Sequence, residues 1–383
     1  MDGIYFIGVG QALFVAALLL VKENRTNGDR ILLTWMLLSA ALLVFFYLNF
    51  IEATSRLIPL MIVWGCIPLL VAPLLYQYVL ALTKPTYRIV TQWPHAIPFV
   101  LLVTIFLIYY LFIIKPGQIW IEAGFIQRTG NLPWVIRIYP QFFAVSSFTY
   151  PVISLVVLIK HQKQVLNEFS YQESITLKWL RNWVILELAA FIIAYAVIQI
   201  GSTEVFDIVW SFRVLAGLIT VNIFIVGFFG LRQPIIFPPE QLADEKPKST
   251  TKYKSSNLDE AESGLIQKRL KDIMETDRLY IRQNLGIAEL ARELSVSKHH
   301  LSQVINENLG TNFYDFVNQY RVNEIKVRLE EPQYEHLTML GIALSCGFSS
   351  KSSFNAVFKR LEGKTPSQYR ANRSKPINLD ASD

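Results

Sequence analysis

Seven apolar runs occupy the first 231 residues of this 383-residue chain. They cover residues 4–21, 31–51, 57–82, 96–114, 141–159, 183–200 and 214–231. Each is long enough to cross about 30 Å of hydrocarbon as a helix. Lipid offers no partner to backbone N–H and C=O groups, so runs of this kind are confined to helices that satisfy their own hydrogen bonds. The third run carries Pro68 and Pro73, either of which can kink a span where neighbours satisfy the freed groups. The first has no basic residue ahead of it and no small-residue cleavage site. Its basic residues, Lys22 and Arg25, follow it, as in a reverse anchor rather than a cleaved signal peptide.

Lys and Arg in the intervening loops set the expected orientation. The first, third and fifth loops hold Lys22, Arg25, Arg30, Lys84, Arg88, Lys160, Lys163, Lys178 and Arg181. The even loops hold Arg56, Lys115, Arg128, Arg137 and Arg213. Nine against five puts the N-terminus outside, and seven crossings then put the C-terminus in the cytoplasm of a cell whose inner membrane carries the spans.

Composition changes sharply after Leu231. The chain is 52% hydrophobic on average, but nearly all the excess lies in the first part. A net charge of +6 fits nucleic acid or anionic lipid and selects neither. Cys66 and Cys346 fall on opposite sides of this boundary, so no disulfide framework is implied, and both read as small buried hydrophobes. Arg232 to Pro239 stops the last span. Residues 240–263 are polar and charged and read as a flexible tether with a reach of roughly 25–30 Å. The expected domains are therefore 1–231 in the membrane, 232–263 as linker, 264–374 as a soluble helical domain and 375–383 as a tail.

Two loops exceed a turn. Residues 115–140, expected outside, hold Trp120, Glu122, Arg128, Trp134, Arg137 and Tyr139. They suit a ligand-contacting lid or, more plainly, interfacial aromatics at span ends. Residues 160–182, expected inside, carry Leu166, Phe169, Ile175, Leu177 and Leu180 among charges, which predicts an amphipathic helix along the membrane or the linker. That segment is the best placed to pass a signal from the spans to the C-terminal domain. Within the spans, Glu187 and Asn222 are the deepest polar groups, with Asn49, Gln77, Tyr195 and Gln199 as further candidates. They could contact a sensed ligand or simply hydrogen-bond between helices. No catalytic constellation, phosphate loop, CxxC pair, cofactor motif or metal-ligand cluster appears.

Residues 285–370 carry two helix-turn-helix patterns. In the first, Leu290, Leu294, Val296, Leu301 and Val304 form the apolar set, Ala291 is the small residue where two helices cross, and Ser295 takes the turn. In the second, Ile342, Cys346, Phe348, Phe354, Val357 and Phe358 do the same, with Ala343 at the crossing and Gly347 at the turn. Between them the spacing predicts a helix over about 313–330, capped by Asn312 or Thr311 and stopped by Pro332. Such a helix is ~27 Å long and can hold two recognition helices close to one turn of the major groove apart, ~34 Å.

The stretches Ile287-Ala-Glu-Leu-Ala291, Leu301-Ser302, Tyr320-Arg321, Ile342-Ala-Leu-Ser-Cys-Gly-Phe348, Phe354-Asn-Ala-Val-Phe-Lys359 and Gly363-Lys-Thr-Pro-Ser-Gln-Tyr-Arg370 resemble the DNA-binding domain of the AraC/XylS family of bacterial transcription regulators. Asn312 to Arg321 also resembles a membrane-anchored subgroup with a multi-span N-terminal domain. The resemblance implies two helix-turn-helix subdomains joined by a helix, and with the seven apolar runs the expected fold is all-α: a seven-helix transmembrane bundle followed by an AraC-type domain. It further implies promoter DNA as a partner. The lipid bilayer, RNA polymerase, an envelope ligand of unknown chemistry and a second copy of the chain are the other partners that this reading admits.

The DNA-contacting residues expected at the starts of the recognition helices are Ser297, Lys298, His299, His300, Ser302, Gln303 and Asn306 in the first. In the second they are Ser350, Lys351, Ser352, Ser353, Asn355 and Lys359. Gln303 and Asn306 suit adenine, Lys298 suits guanine or phosphate, and the serine-rich second helix suits phosphate gripping. Each of these could equally be a solvated helix face. The competing functional reading is a membrane transporter or enzyme with a regulatory DNA-binding tail.

Overall fold

The computed structural model describes residues 3–51, 58–84, 87–113, 119–122, 125–128, 134–173, 175–201, 208–233 and 258–373. They divide into two compact units. One comprises residues 1–160 with 177–246, and the other residues 161–176 with 247–383.

The first unit is built from α1 (Gly3–Val21), α2 (Asn27–Phe50), α3 (Ile58–Cys66), α4 (Pro68–Thr83), α5 (Ile97–Ile108), the first part of α6 (Trp134–Glu168), α7 (Lys178–Gly201) and α8 (Ile208–Arg232). Seven helical stretches among the described residues are long and apolar enough to cross a membrane. Pro68 does more than kink the third. It ends α3 at Cys66 and starts α4, while Pro73 is accommodated inside α4. A 3-10 stretch, Ile89–Ala96, leads into α5, which leaves through a π-turn over Tyr109–Ile113.

Small residues let these helices approach closely. A Cβ on Gly8 would stand 2.4 Å from Thr220 Oγ1, and one on Gly227 would stand 2.8 Å from Val15. The buried face of α1 (Tyr5, Gly8, Ala12, Val15, Ala16 and Leu19) follows helical spacing against α2 and α8. Its other face exposes Phe6 and Phe14, each 59% accessible. Thr26 starts α2 with a reciprocal cap: Asp29 N–H donates to Thr26 Oγ1, and Thr26 N–H donates to the Asp29 carboxylate.

The helical expectation holds, with one addition among the described residues. Ile119–Glu122 and Phe125–Arg128 form β1 and β2 of a short antiparallel hairpin in the fourth loop. The side chains of Trp120, Glu122, Arg128, Trp134 and Arg137, named above for a lid or an interfacial belt, lie outside the described residues. The side chain of Gln199 lies outside them too, as do residues 234–257 of the expected tether and the tail from 374 onward.

Two expectations are corrected. Residues 160–182 do not form a separate amphipathic helix. Instead α6 runs on as far as Glu168, a loop follows, and α7 begins at Lys178 just after Leu177, which sits at φ 51°. The apolar residues of this segment are spent on packing: Ile175 and Leu177 are buried and Leu166 packs on a core of the C-terminal unit. The expected linker also ends earlier than 263, because α9 (Glu260–Thr276) already starts at Glu260.

In the C-terminal unit α9 lays Ile266, Leu270 and Met274 against α10 (Ile287–Glu293) and α11 (Lys298–Gln303), which continues as a π-turn over Val304–Asn308. A second core joins α13 (Met339–Ser345) and α14 (Lys351–Glu362), with Tyr369 of α15 (Pro366–Arg373) packed against it. The connecting helix α12 (Phe313–Arg328) divides its residues between the two. Phe313, Phe316 and Val317 enter the first core; Tyr314, Val322 and Ile325 enter the second. Asn312, rather than Thr311, caps α12 by accepting from Asp315 N–H at 2.9 Å. At 16 residues α12 is about 24 Å long.

Candidate nucleic-acid interface

Both turns have the backbone that a helix-turn-helix requires. Ser295 sits at φ 55° and Gly347 at φ 95°, the left-handed region. After each turn a serine caps the next helix. Ser297 Oγ accepts from His300 N–H at 3.0 Å, and Ser350 Oγ accepts from Ser353 N–H at 3.2 Å. These two expected DNA contacts therefore also have a structural task.

The other expected residues fall into two groups. Lys298, His299, Asn306, Lys351, Ser352, Asn355 and Lys359 are exposed. His300, Ser302, Gln303 and Ser353 are half-buried. Gln303 donates to Glu307 at 2.8 Å and Asn306 donates to Ser302 Oγ at 3.2 Å, so both amides are held along the helix itself. The rings of His299 and His300 are tilted at 46° to one another, with centroids 6.3 Å apart. Among the described residues no group of three His, Cys, Asp or Glu side chains could hold a metal.

The helices Lys298–Gln303 and Lys351–Glu362 are bridged by Glu168, Ser170 and Glu173, which the sequence reading did not single out. The loop after α6 belongs to the same compact unit and crosses the domain. At its start, Glu168 Oε1 lies 3.0 Å from Lys298 Nζ. Phe169 then forms an antiparallel bridge with Gly286, and Ser170 N–H donates to Leu285 C=O at 3.1 Å. In its middle, Arg321 donates to Ser170 C=O at 3.1 Å and to Ser170 Oγ at 3.0 Å. At its far end, the Glu173 carboxylate accepts from Ser352 Oγ at 2.9 Å, from Ser349 Oγ at 3.3 Å and from Ser350 Oγ.

Arg321 is 1% exposed and also donates to the carbonyls of Tyr280 (2.7 Å) and Arg282 (2.7 Å). Burial pulls its guanidinium down to about 10, and the carbonyl cage is what compensates a charge held out of water. Helical periodicity gave no hint of this. A five-residue spacing of Glu168 and Glu173 in an otherwise basic loop was the available signal.

In the first unit, Glu187 and Asn222 are brought together: Asn222 Nδ2 donates to Glu187 Oε2. Both line a cavity of about 490 Å³ whose walls are mostly apolar, including Trp35, Phe45, Phe143 and Phe191. Tyr139 lines it as well, held by a 2.8 Å bond from its hydroxyl to Gly65 C=O. Asn49 is not part of this group; it donates to Phe45 C=O, one turn back on its own helix. Gln77 is half-buried in α4, and Tyr195 packs against the core beside the cavity.

Residues 290–372 match the helix-turn-helix domain family. A Staphylococcus aureus protein described as an uncharacterized HTH-type transcriptional regulator is 34% identical over 112 residues, which is 29% of this chain and 15% of that protein. A probable transcription factor, PqrA, from Proteus vulgaris is 29% identical over 109 residues, 28% of this chain and 87% of that protein. The chain thus spans a small share of the length of the staphylococcal relatives. No solved structure matches.

Proposed function

We propose that this chain, which carries an AraC-type helix-turn-helix domain at its C-terminus, is a membrane-embedded one-component transcription regulator. The observation that carries the reading is covalent: one polypeptide joins seven helices apolar enough to cross a bilayer to two capped recognition helices. Phenylalanines exposed on α1 suit lipid tails and would be costly in water. The positive-inside rule supports an N-terminus outside and a DNA-binding unit in the cytoplasm, where promoter DNA is.

In this reading α11 and α14 enter adjacent major grooves. Lys298, His299, Gln303 and Asn306 of the first, with Ser302 and His300 beside them, read or grip DNA. Lys351, Ser352, Asn355 and Lys359 of the second hold phosphates, supported by Ser350 and Ser353. RNA polymerase and a second copy of the chain are the protein partners this arrangement admits. Footprinting of genomic fragments by the detergent-solubilised full chain tests it. Protection of two stretches about 10 base pairs apart is expected; no protected site at low salt sinks the reading.

The cavity containing Glu187 and Asn222 is the sensing site in this proposal. A buried carboxylate with one amide partner in an apolar wall favours a mostly apolar envelope ligand that brings a hydrogen-bond donor. Glu187→Gln and Asn222→Leu are expected to abolish the transcriptional response to the stimulus while DNA binding by the purified chain stays. A response that survives both substitutions removes the cavity from the mechanism. Uptake or turnover of a solute that both substitutions abolish would instead favour a transporter or enzyme.

A further inference from the structure

The recognition face in this structure is already occupied. Glu168 pairs with Lys298 on the first recognition helix, and Glu173 takes the hydroxyls of Ser349, Ser350 and Ser352 at the start of the second. The groups they engage are an ammonium and a row of hydroxyls, the donor set that grips DNA phosphates. The two carboxylates sit five residues apart, Glu168 at the end of α6 and Glu173 in the loop that follows, whose Ser170 is fixed on buried Arg321.

We propose that residues 161–176, the last turns of α6 with the loop after it, are a built-in competitor for DNA. Docked, the loop presents two anionic groups to the two recognition helices and keeps a duplex off them. DNA binding requires the loop to leave. The proposal rests on the DNA-binding reading above, and three features of the loop argue for a segment built to come and go.

The contacts at the two helices are polar and partly accessible: Lys298 retains 42% and Glu168 21% of its side-chain exposure, so solvent and salt weaken their attraction. Of the segment's residues only Leu166, half-buried, packs on either apolar core of this unit; Val165 and Ile175 are buried but belong to neither. Its base is closed on itself, because His161 Nε2 meets Ile175 C=O at 2.8 Å and Gln162 donates to Thr176 C=O at 3.0 Å. It can therefore leave as one piece. The loop also follows directly on α6, whose earlier residues belong to the apolar unit, so a change in that helix has a covalent route to the clamp.

The decisive experiment locks the loop in place. Phe169 and Gly286 are antiparallel bridge partners, and such Cα atoms lie about 4.5–5.5 Å apart, within the span a disulfide can bridge. Gly286 has φ −112°, and a Cβ there meets nothing closer than 3.5 Å, so cysteine is accommodated. The full chain carrying F169C and G286C, in detergent, is titrated against a random-sequence duplex at low salt by fluorescence anisotropy. The unsubstituted chain passes through the same redox cycle as control for the buried Cys66 and Cys346.

Affinity should fall about tenfold or more on oxidation of the double-cysteine chain and return on reduction, because only the open form binds. Equal affinity of oxidised and reduced forms overturns the competitor proposal and leaves DNA binding standing. If neither the control nor the variants bind any duplex, the DNA-binding reading falls and takes this one with it. Should the cysteine pair disturb folding, E168Q/E173Q provides the second measurement. It should bind DNA more tightly than a charge-matched E275Q/E335Q chain, whose altered residues are both exposed and lie outside residues 161–176. Identical affinity of the two pairs overturns the proposal.

Discussion

The two helix-turn-helix halves solve one backbone problem with different amounts of freedom. Each needs a left-handed residue between its helices, and each has one. The first uses Ser295, which is exposed. The second uses Gly347, and a Cβ there would lie 2.6 Å from Tyr280 C=O, 2.8 Å from Ile281 C=O and 2.9 Å from Arg321 Nε. The first turn tolerates a side chain because the position is exposed. The second is pressed against the backbone that precedes the first half, where Arg321 ties the halves together. Conformation alone does not demand glycine; conformation plus a close neighbour does.

Substitutions can break this comparison. The largest effect is expected at Gly347. Gly347→Ala meets both the left-handed backbone and the two carbonyls, and should cost on the order of 4 kcal/mol, read as a lower denaturation midpoint of the C-terminal unit. A cost near that of an exposed turn would mean the contact relaxes freely and the two turns are equivalent after all. Arg321→Leu should follow at about 3 kcal/mol, because the Tyr280 and Arg282 carbonyls lose their donor inside the protein. It should also free the loop at Ser170, seen as faster amide exchange over residues 168–173.

Cap deletions are the next size down. Ser297→Ala and Ser350→Ala should each cost about 1 kcal/mol in thermal unfolding, since each removes one capping acceptor. Similar losses at both caps would sharpen the view that the halves differ at their turns and not at their helix starts. The smallest change is expected from Ser295→Gly. Relief of the left-handed strain, ~1–2 kcal/mol, is offset by the greater backbone freedom of glycine, ~0.5–1 kcal/mol, leaving a gain of about 0–1.5 kcal/mol. A clear loss of stability would show that the serine side chain supports the turn.

Much of the architecture was legible in the chain. Spans of 18 or more apolar residues leave few options, and the helices found over Gly3–Val21 and Asn27–Phe50 nearly coincide with the runs that predicted them. The turn residues Ser295 and Gly347 and the crossing alanines were legible because a helix-turn-helix demands particular residue types at set offsets. The break at Pro68 was half-legible, since proline flags a disturbance but its neighbours decide between kink and full interruption. The loop after α6 was misread. Its apolar residues suggested an amphipathic surface helix, but Leu166 packs sideways on the second core while Ile175 and Leu177 are buried.

By itself the sequence determined which segments are helices, which stretch suits a bilayer, and that the C-terminal part has two helix-turn-helix repeats, because these follow from local periodicity and from residue types with few allowed conformations. Only the tertiary structure decided that Glu187 meets Asn222 across 35 positions, and that Ser170 and Arg321, 151 positions apart, share hydrogen bonds. Such pairings depend on how helices and loops pack, and no local pattern encodes which donor will reach which acceptor. The acidic loop on the recognition helices is of that kind. Its carboxylates look like ordinary surface charge until packing sets them against the residues expected to hold DNA.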